Sequence, residues 1–438
     1  MGISVLTMKR GEIMNLKTVL MLVVLSMPII GRAAIVQVSG TIASNTTWSV
    51  GNVYQLTDDL TVAAGAKLTI EPGTVVKFAK RRQGSGNEEV KLIVAGALWA
   101  QGTAGSKVYF TSIDDPTVGG STGGDGVPDS TDWGWIEFQG TSDDTNCRLE
   151  YCVIRYAGND YTYGYPSETR SESYAVRCSD ASPTILNCDF FKCRGGVYVS
   201  NGSVAVRRST FDTITTTAAY FDIGAFYGLR PIINACIFRG CSTGIRYGGG
   251  SASCYGTLSG NSFTNISTAI QVDRVGSSLS AYHNLFLMPS SGTGIQNNDT
   301  ANTVNGGNNW WNAANGPSGI GSGSGVRVST YVTFSPWFTS ASQNTHGVWN
   351  VLAVRRGDSM VVDVYYDLVA TAGTTYRTSL GVSTTGGEPY TITPSSVSGA
   401  IGSGIQPAEG LNIVWDAAAN GGGGYTDQMR VKVTADLE

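Results

Sequence analysis

Histidine is nearly missing from this chain: His283 and His346 are the two in 438 residues. That leaves little room for a zinc site built on imidazole or for a Ser-His-Asp triad. Charge is scarce as well. Only 14% of residues are Asp, Glu, Lys or Arg, the net charge is −4 and the pI lies near 5.4, so the basic footprint of a nucleic-acid binder is absent. After the first thirty residues no run approaches the roughly 20 apolar residues of a membrane span. Glycine, by contrast, supplies 57 residues, and Ser, Thr and Asn are plentiful. Such a chain reads as a turn-rich β protein.

The N-terminus reads as an export signal. Lys9 and Arg10, or Lys17 if Met14 is the start, precede the apolar run Thr18–Ile30, and Gly31-Arg32-Ala33 supplies small residues at the −3 and −1 positions. A basic start, a short apolar run and a small-residue site describe a signal peptide over 1–33. The expected mature chain is soluble and bacterial extracellular, either secreted or at the cell surface.

Internal repeats dominate the middle of the chain. The segments EYCVIRYA (150–157), LNCDFFKC (186–193), RRSTFDTI (207–214), NACIFRGC (234–241), SGNSFTNI (259–266), YHNLFLMP (282–289) and GGNNWWNA (306–313) lie over one another without gaps. One column reads Cys152, Cys188, Ser209, Cys236, Asn261, Asn284, Asn309. Two residues on, another reads Ile154, Phe190, Phe211, Phe238, Phe263, Phe286, Trp311. Copies are spaced by 36, 21, 27, 25, 23 and 25 residues. A second alternating strand comes after most of them: YAVRC, GVYVS, AAYFD, GIRYG, AIQVD, GIQNN. Short strands with period two, no helical period and polar corners predict a parallel β-solenoid whose coils bury their inward faces on one another.

Eight cysteines fall between Cys147 and Cys254. In an exported chain an even count suggests disulfides. The C-x4-C spacing at 147/152, 188/193 and 236/241 allows bridges across a corner, and Cys152 and Cys188 would be stacked neighbours. Yet Ser and Asn replace Cys in the first column, and five residues on, in the column Ala157, Cys193, Ile214, Cys241 and Ile266, Ala and Ile replace it. Such exchange favours buried thiols and argues against metal ligands.

Several segments carry a family resemblance. Leu-Thr-Ile-Glu-Pro-Gly-Thr-Val-Val-Lys-Phe (68–78), the Gly-Ala-Leu-x-Ala-x-Gly-Thr turn (96–103), Val-x-Phe-Thr-Ser (108–112), Asp-Trp-Gly-x-Ile (132–136) and the closing stretch over 308–340 are similar to exported right-handed parallel β-helix repeat proteins of the pectin-lyase-like superfamily. The likeness covers about 300 residues. It implies an all-β fold with a right-handed parallel β-helix over 34–340. It implies less about activity, because that superfamily holds lyases, hydrolases and adhesins. From about Val348 the ladder period stops, and alternating strands at 362–368, 376–387, 411–417 and 428–436 suggest a small Ig- or fibronectin-like β-sandwich over 341–438. Gly421–Gly424 reads as a loop.

Chemistry must sit on outward positions of the solenoid. In the second strand these are Glu137, Arg177, Tyr198, Tyr220, Arg246, Gln271 and Gln296, and two residues on come Gln139, Ser179, Ser200, Asp222, Gly248, Asp273 and Asn298. This is a strip of aromatic, amide and charged groups on which a polysaccharide or cell-surface glycan could lie, or else an ordinary solvated sheet. Arg177 and Arg246 could pair with a uronate; Asp222 and Asp273 could hold a cation or act as an acid/base pair. A lysine beside a carboxylate cluster and the paired-Asp signature of the hydrolase branch are both missing, so the catalytic signal is poor. Arg207-Arg208 and Lys192-Cys193-Arg194 read as solvated corners. In the loop over 113–134, Asp114, Asp115, Asp125, Asp129 and Asp132 among glycines suit Ca2+. The expectation is a monomeric glycan-binding or glycan-presenting β-helix. The alternatives are a polysaccharide lyase or glycoside hydrolase on the same strip, and a structural adhesin.

Overall fold

The structure, a computed structural model, describes residues 33–80, 89–158, 174–223, 231–249, 256–274, 279–341, 347–356, 359–370, 373–384, 389–420 and 429–438. Residues 1–32 of the expected signal over 1–33, Cys254, His346 and Gly421–Gly424 lie outside them. The chain is all-β: a 20-stranded sheet and an 11-stranded sheet of parallel strands are followed by antiparallel sheets of four and three strands. The first two make a parallel β-helix. Each full coil gives one strand to the smaller sheet and two successive strands to the larger. Among the described residues no helix is long and apolar enough to cross a membrane.

The phenylalanine column is the spine of this fold. Phe190, Phe211, Phe238, Phe263 and Phe286 are in register on consecutive coils. Their rings are fully buried and stack at centroid separations of 4.6, 5.0, 5.0 and 5.5 Å. Trp311 continues the pile at 4.7 Å from Phe286. Glycine opens the next strand where a ring needs the space: a Cβ on Gly196 would lie 2.6 Å from Phe211.

Both ends of the first strand of the larger sheet turn through a left-handed residue. Tyr151, Asn187, Arg208, Ala235, His283 and Asn308 hold φ between 48° and 56° at one corner, and Tyr156, Lys192, Thr213, Asn265 and Asn312 lie between 51° and 64° at the other. Such backbones cost about 1–2 kcal/mol per non-glycine residue. They persist because each corner amide still bonds to the next coil, as in Asn187 N–H to Arg207 O (3.1 Å) and Arg208 N–H to Asn234 O (3.0 Å).

The residue after the first corner is the Cys/Ser/Asn column, and its exchange pattern now has a cause. Ser209 Oγ accepts from the Cys188 amide at 3.1 Å. Asn261 Oδ1 does the same for Cys236 at 2.9 Å, Asn284 Oδ1 for Asn261 at 3.0 Å, and Asn309 Oδ1 for Asn284 at 2.8 Å. The position takes a small side chain that can bond backbone inside the coil. Thiols meet that need through contacts such as Cys188 Sγ to Leu186 O at 3.3 Å. The seven described cysteines are free and buried, so the bridges that the C-x4-C spacing allowed are not formed. Burial pushes the thiols of Cys147, Cys193 and Cys236 up to about 12, which leaves almost no thiolate to react. Unreduced protein unfolded in guanidinium should therefore label at all seven of these positions. Tryptic peptides bridged at 188–193 or 236–241 would contradict that.

The two antiparallel sheets share one core of Val364, Tyr366, Leu380, Val382, Ile413, Trp415 and Val433, and so make a small sandwich. It lies against the smaller parallel sheet. Arg207 donates to Val351 O at 2.9 Å, and Arg208 grips Asp367 through Nε and Nη2 at 3.0 and 2.8 Å. Arg148, paired with Glu150 at 2.8 Å, reaches the Tyr365 hydroxyl. The Arg207-Arg208 corner is thus not solvated, as its sequence suggested; Arg207 is only 5% exposed.

Candidate functional site

Strand register places Glu137, Arg177, Tyr198, Tyr220, Arg246, Gln271 and Gln296 on seven consecutive rungs of the larger sheet. Parallel strands stack about 4.8 Å apart, so the outward groups form a regular series. The series is not uniformly open. Tyr198 and Tyr220 were expected to face solvent, yet they are only 7% and 8% exposed. Tyr174, just ahead of Val176–Ser179, packs its ring 5.5 Å from Tyr198 and 6.4 Å from Tyr220, and the three make their own buried aromatic cluster. Room for the Tyr220 ring comes from Gly248 on the next rung, where a Cβ would lie 2.9 Å from its hydroxyl.

Polar groups tie this cluster to either side. The Tyr198 hydroxyl donates to Asp222 at 2.9 Å. The Arg246 guanidinium sits 4.9 Å over the Tyr220 ring and donates to Asp273 at 2.6 Å. Asp273 also accepts from Gln271 (2.8 Å) and Asn298 (2.9 Å), and Gln296 donates on to Asn298 at 2.9 Å. Burial alone would raise the Asp273 carboxyl, but these donors outweigh it and hold the group below the usual carboxylate range. It is an acceptor fixed in its ionised form, unsuited to giving up a proton at neutral pH. Asp222 is two rungs away, in register with Gly248. Half-buried Arg246, Gln271, Asp273 and Gln296, with exposed Asn298, form the accessible ledge.

At the other end, sequence reasoning overlooked Trp135. Its ring is 6% exposed and faces two cations, Arg177 at 4.4 Å and Lys91 at 4.6 Å, while its indole N–H donates to Glu137 at 3.2 Å. The signal was the second tryptophan of Trp133-Gly134-Trp135, one inward and one outward.

The acidic loop, read from the sequence as a calcium site, sets its carboxylates beside cations of the same chain. Asp115 accepts from Thr111 at 2.7 Å and Thr117 at 2.6 Å and pairs with Arg155 at 2.6 Å. Burial raises its carboxyl, and those partners more than offset it. The fully buried Lys77 donates to Asp115 O at 2.6 Å and Gly120 O at 2.5 Å. Lys80 lies 2.9 Å from Asp132 and 3.8 Å from both Asp114 and Asp129. Asp114 otherwise accepts from the Asp125 amide, and exposed Asp125 accepts from Val127 N–H in its own turn. Asp115 is thus paired with Arg155, while Asp114, Asp129 and Asp132 share the one Lys80 ammonium. Among the described residues no set of three or more His, Cys, Asp or Glu side chains is placed to hold a metal.

Comparison with known proteins adds a partial likeness. Residues 40–164 match a family described as a pectate-lyase-like β-helix domain. No curated protein matches the chain. Among solved structures, the crystal structure of Dettilon tailspike protein (gp208) is similar at 10% identity over 92% of this chain and 88% of that one, with a TM-score of 0.23.

Proposed function

We propose that this is an exported glycan-binding β-helix whose ledge of Arg246, Gln271, Asp273, Gln296 and Asn298 takes a polysaccharide lying along the solenoid axis. The observation that carries the reading is the repetition of planar amide, carboxylate and guanidinium groups on successive rungs, already ordered by mutual hydrogen bonds. Preorganised donors and acceptors cost little to fix on binding, and their spacing suits the hydroxyls of successive sugar rings. The pectate-lyase-like description of the family matched over 40–164 supports a polysaccharide context. A lyase or hydrolase on the same ledge is the weaker reading, since Asp273 is held ionised by Arg246 and two amides.

An oligosaccharide array followed by titration calorimetry on its hits tests the reading. The double variant Gln271→Ala/Gln296→Ala should weaken binding about tenfold or more, as expected for two lost hydrogen bonds at roughly 0.5–1.5 kcal/mol each. The melting temperature should hardly move, because these side chains are half exposed. Unchanged affinity in the double variant sinks the ledge. Accumulation of unsaturated uronate in the same samples would favour the lyase reading.

A further inference from the structure

A second polar recess lies on a different face, where the sandwich meets a corner of the β-helix. It has a volume of about 280 Å³ and is lined by Tyr151, Asn187, Arg208, Thr210, Ile237 and Glu409, among others. Tyr151, Asn187 and Arg208 are left-handed corner residues on three successive coils, and Glu409 is an exposed residue of the strand Ala408–Asp416 in the sandwich. The recess therefore exists only because the two bodies are held together.

Its lining is mainly polar. Arg208 is about nine-tenths buried, and Asp367 takes its Nε and Nη2. Its Nη1 is buried and has no hydrogen-bond partner among the described residues. That atom is closed to solvent, so the recess offers a ligand its other lining groups and not this donor. Asn187, Thr210 and Tyr151, each with a polar side chain, line the same recess, with Glu409 as an acceptor. Ile237, 44% exposed, and the Tyr151 ring add apolar surface.

We infer that this recess is a binding site for one neutral sugar ring, separate from the ledge. Three features select that class. The volume is at the low end of the roughly 300–1,000 Å³ of small-molecule pockets, enough for a single pyranose. Donors and an acceptor sit together with apolar surface, matching hydroxyls beside the C–H face of a ring. Asp367 already takes the Arg208 guanidinium, and the lining holds no other Lys or Arg, so the recess offers no free cation to a uronate or another anion.

Saturation-transfer NMR on the full chain tests this with methyl β-D-glucoside, methyl β-D-galactoside and methyl N-acetyl-β-D-glucosaminide at about 10 mM, a concentration suited to millimolar affinities. D-Galacturonate serves as the anionic counterpart. At least one neutral glycoside should receive saturation more strongly than galacturonate. That signal should fall at least fivefold in both Thr210→Val and Glu409→Ala, surface changes expected to leave the melting temperature in place. It should be unaffected by Gln271→Ala/Gln296→Ala, which separates this site from the ledge. The inference is overturned if none of the neutral probes responds, if galacturonate responds more strongly, or if the signal survives both recess variants.

Discussion

Replacing Phe211 by alanine is expected to cost about 3–5 kcal/mol of folding free energy. Its ring lies parallel to Phe190 at 4.6 Å and to Phe238 at 5.0 Å, with interplanar angles of 6° and 3°. Truncation removes two stacking contacts worth about 0.5–1.5 kcal/mol each beyond area burial. The hole cannot close easily. The strands above and below are fixed by ladder hydrogen bonds, and the glycine that abuts the ring, Gly196, has no side chain to lean in. In a solenoid each coil is supported only by its neighbours, so the break should separate the array into two weakened halves. The control is Arg239→Ala, on the adjacent rung but outward. Its ion pair with Asp212 at 2.9 Å is exposed, and losing it should cost about 1 kcal/mol or less. Urea unfolding of both variants measures the contrast; equal losses would mean that the ring column does not carry the core.

That column was legible in the sequence because stacking repeats a residue type at each rung, and laying the copies over one another is enough to reveal it. The same logic located the Cys/Ser/Asn column and the outward rungs. What failed were properties that depend on residues outside the column. Tyr198 and Tyr220 were assigned to the outward face correctly, but their burial is due to Tyr174, which precedes its strand and obeys no repeat. The cations beside the Asp loop, Lys77, Lys80 and Arg155, were hidden in the same way, because they come from other coils and look like ordinary strand and turn residues. Arg207 and Arg208 read as a solvated turn because their partners, Val351 and Asp367, lie roughly 150 residues on in an unrelated body. Periodicity reports what a repeat does to itself. It is silent on what packs against it.

The asparagine column offers a sharper test, since here polar groups rather than apolar volume hold the coils. Asn284→Ala is expected to destabilise by roughly 3–5 kcal/mol, the sum of two or three buried groups left unsatisfied at about 1–3 kcal/mol each. Asn284 is fully buried. Its Oδ1 accepts from both the backbone and the side-chain amide of Asn261 at 3.0 Å, while its Nδ2 donates to Leu258 O at 3.0 Å and Asn309 Oδ1 at 3.1 Å. Alanine removes these bonds, together with that from Nδ2 to Tyr282 O at 3.2 Å, and admits no water to replace them. Serine should recover about half the loss, because one hydroxyl can accept from the Asn261 amide and donate to a carbonyl, as Ser209 does between Cys188 N–H and Arg207 O. A hydroxyl cannot also reach Asn309, so the rescue stays partial. The expected order of stability in urea is therefore wild type, then Asn284→Ser, then Asn284→Ala. If serine proves no better than alanine, the amide's bulk rather than its hydrogen bonds is what the corner requires. If alanine costs under about 1 kcal/mol, below the worth of even one orphaned buried group, the ladder is ornamental and the phenylalanine column alone holds the coils in register.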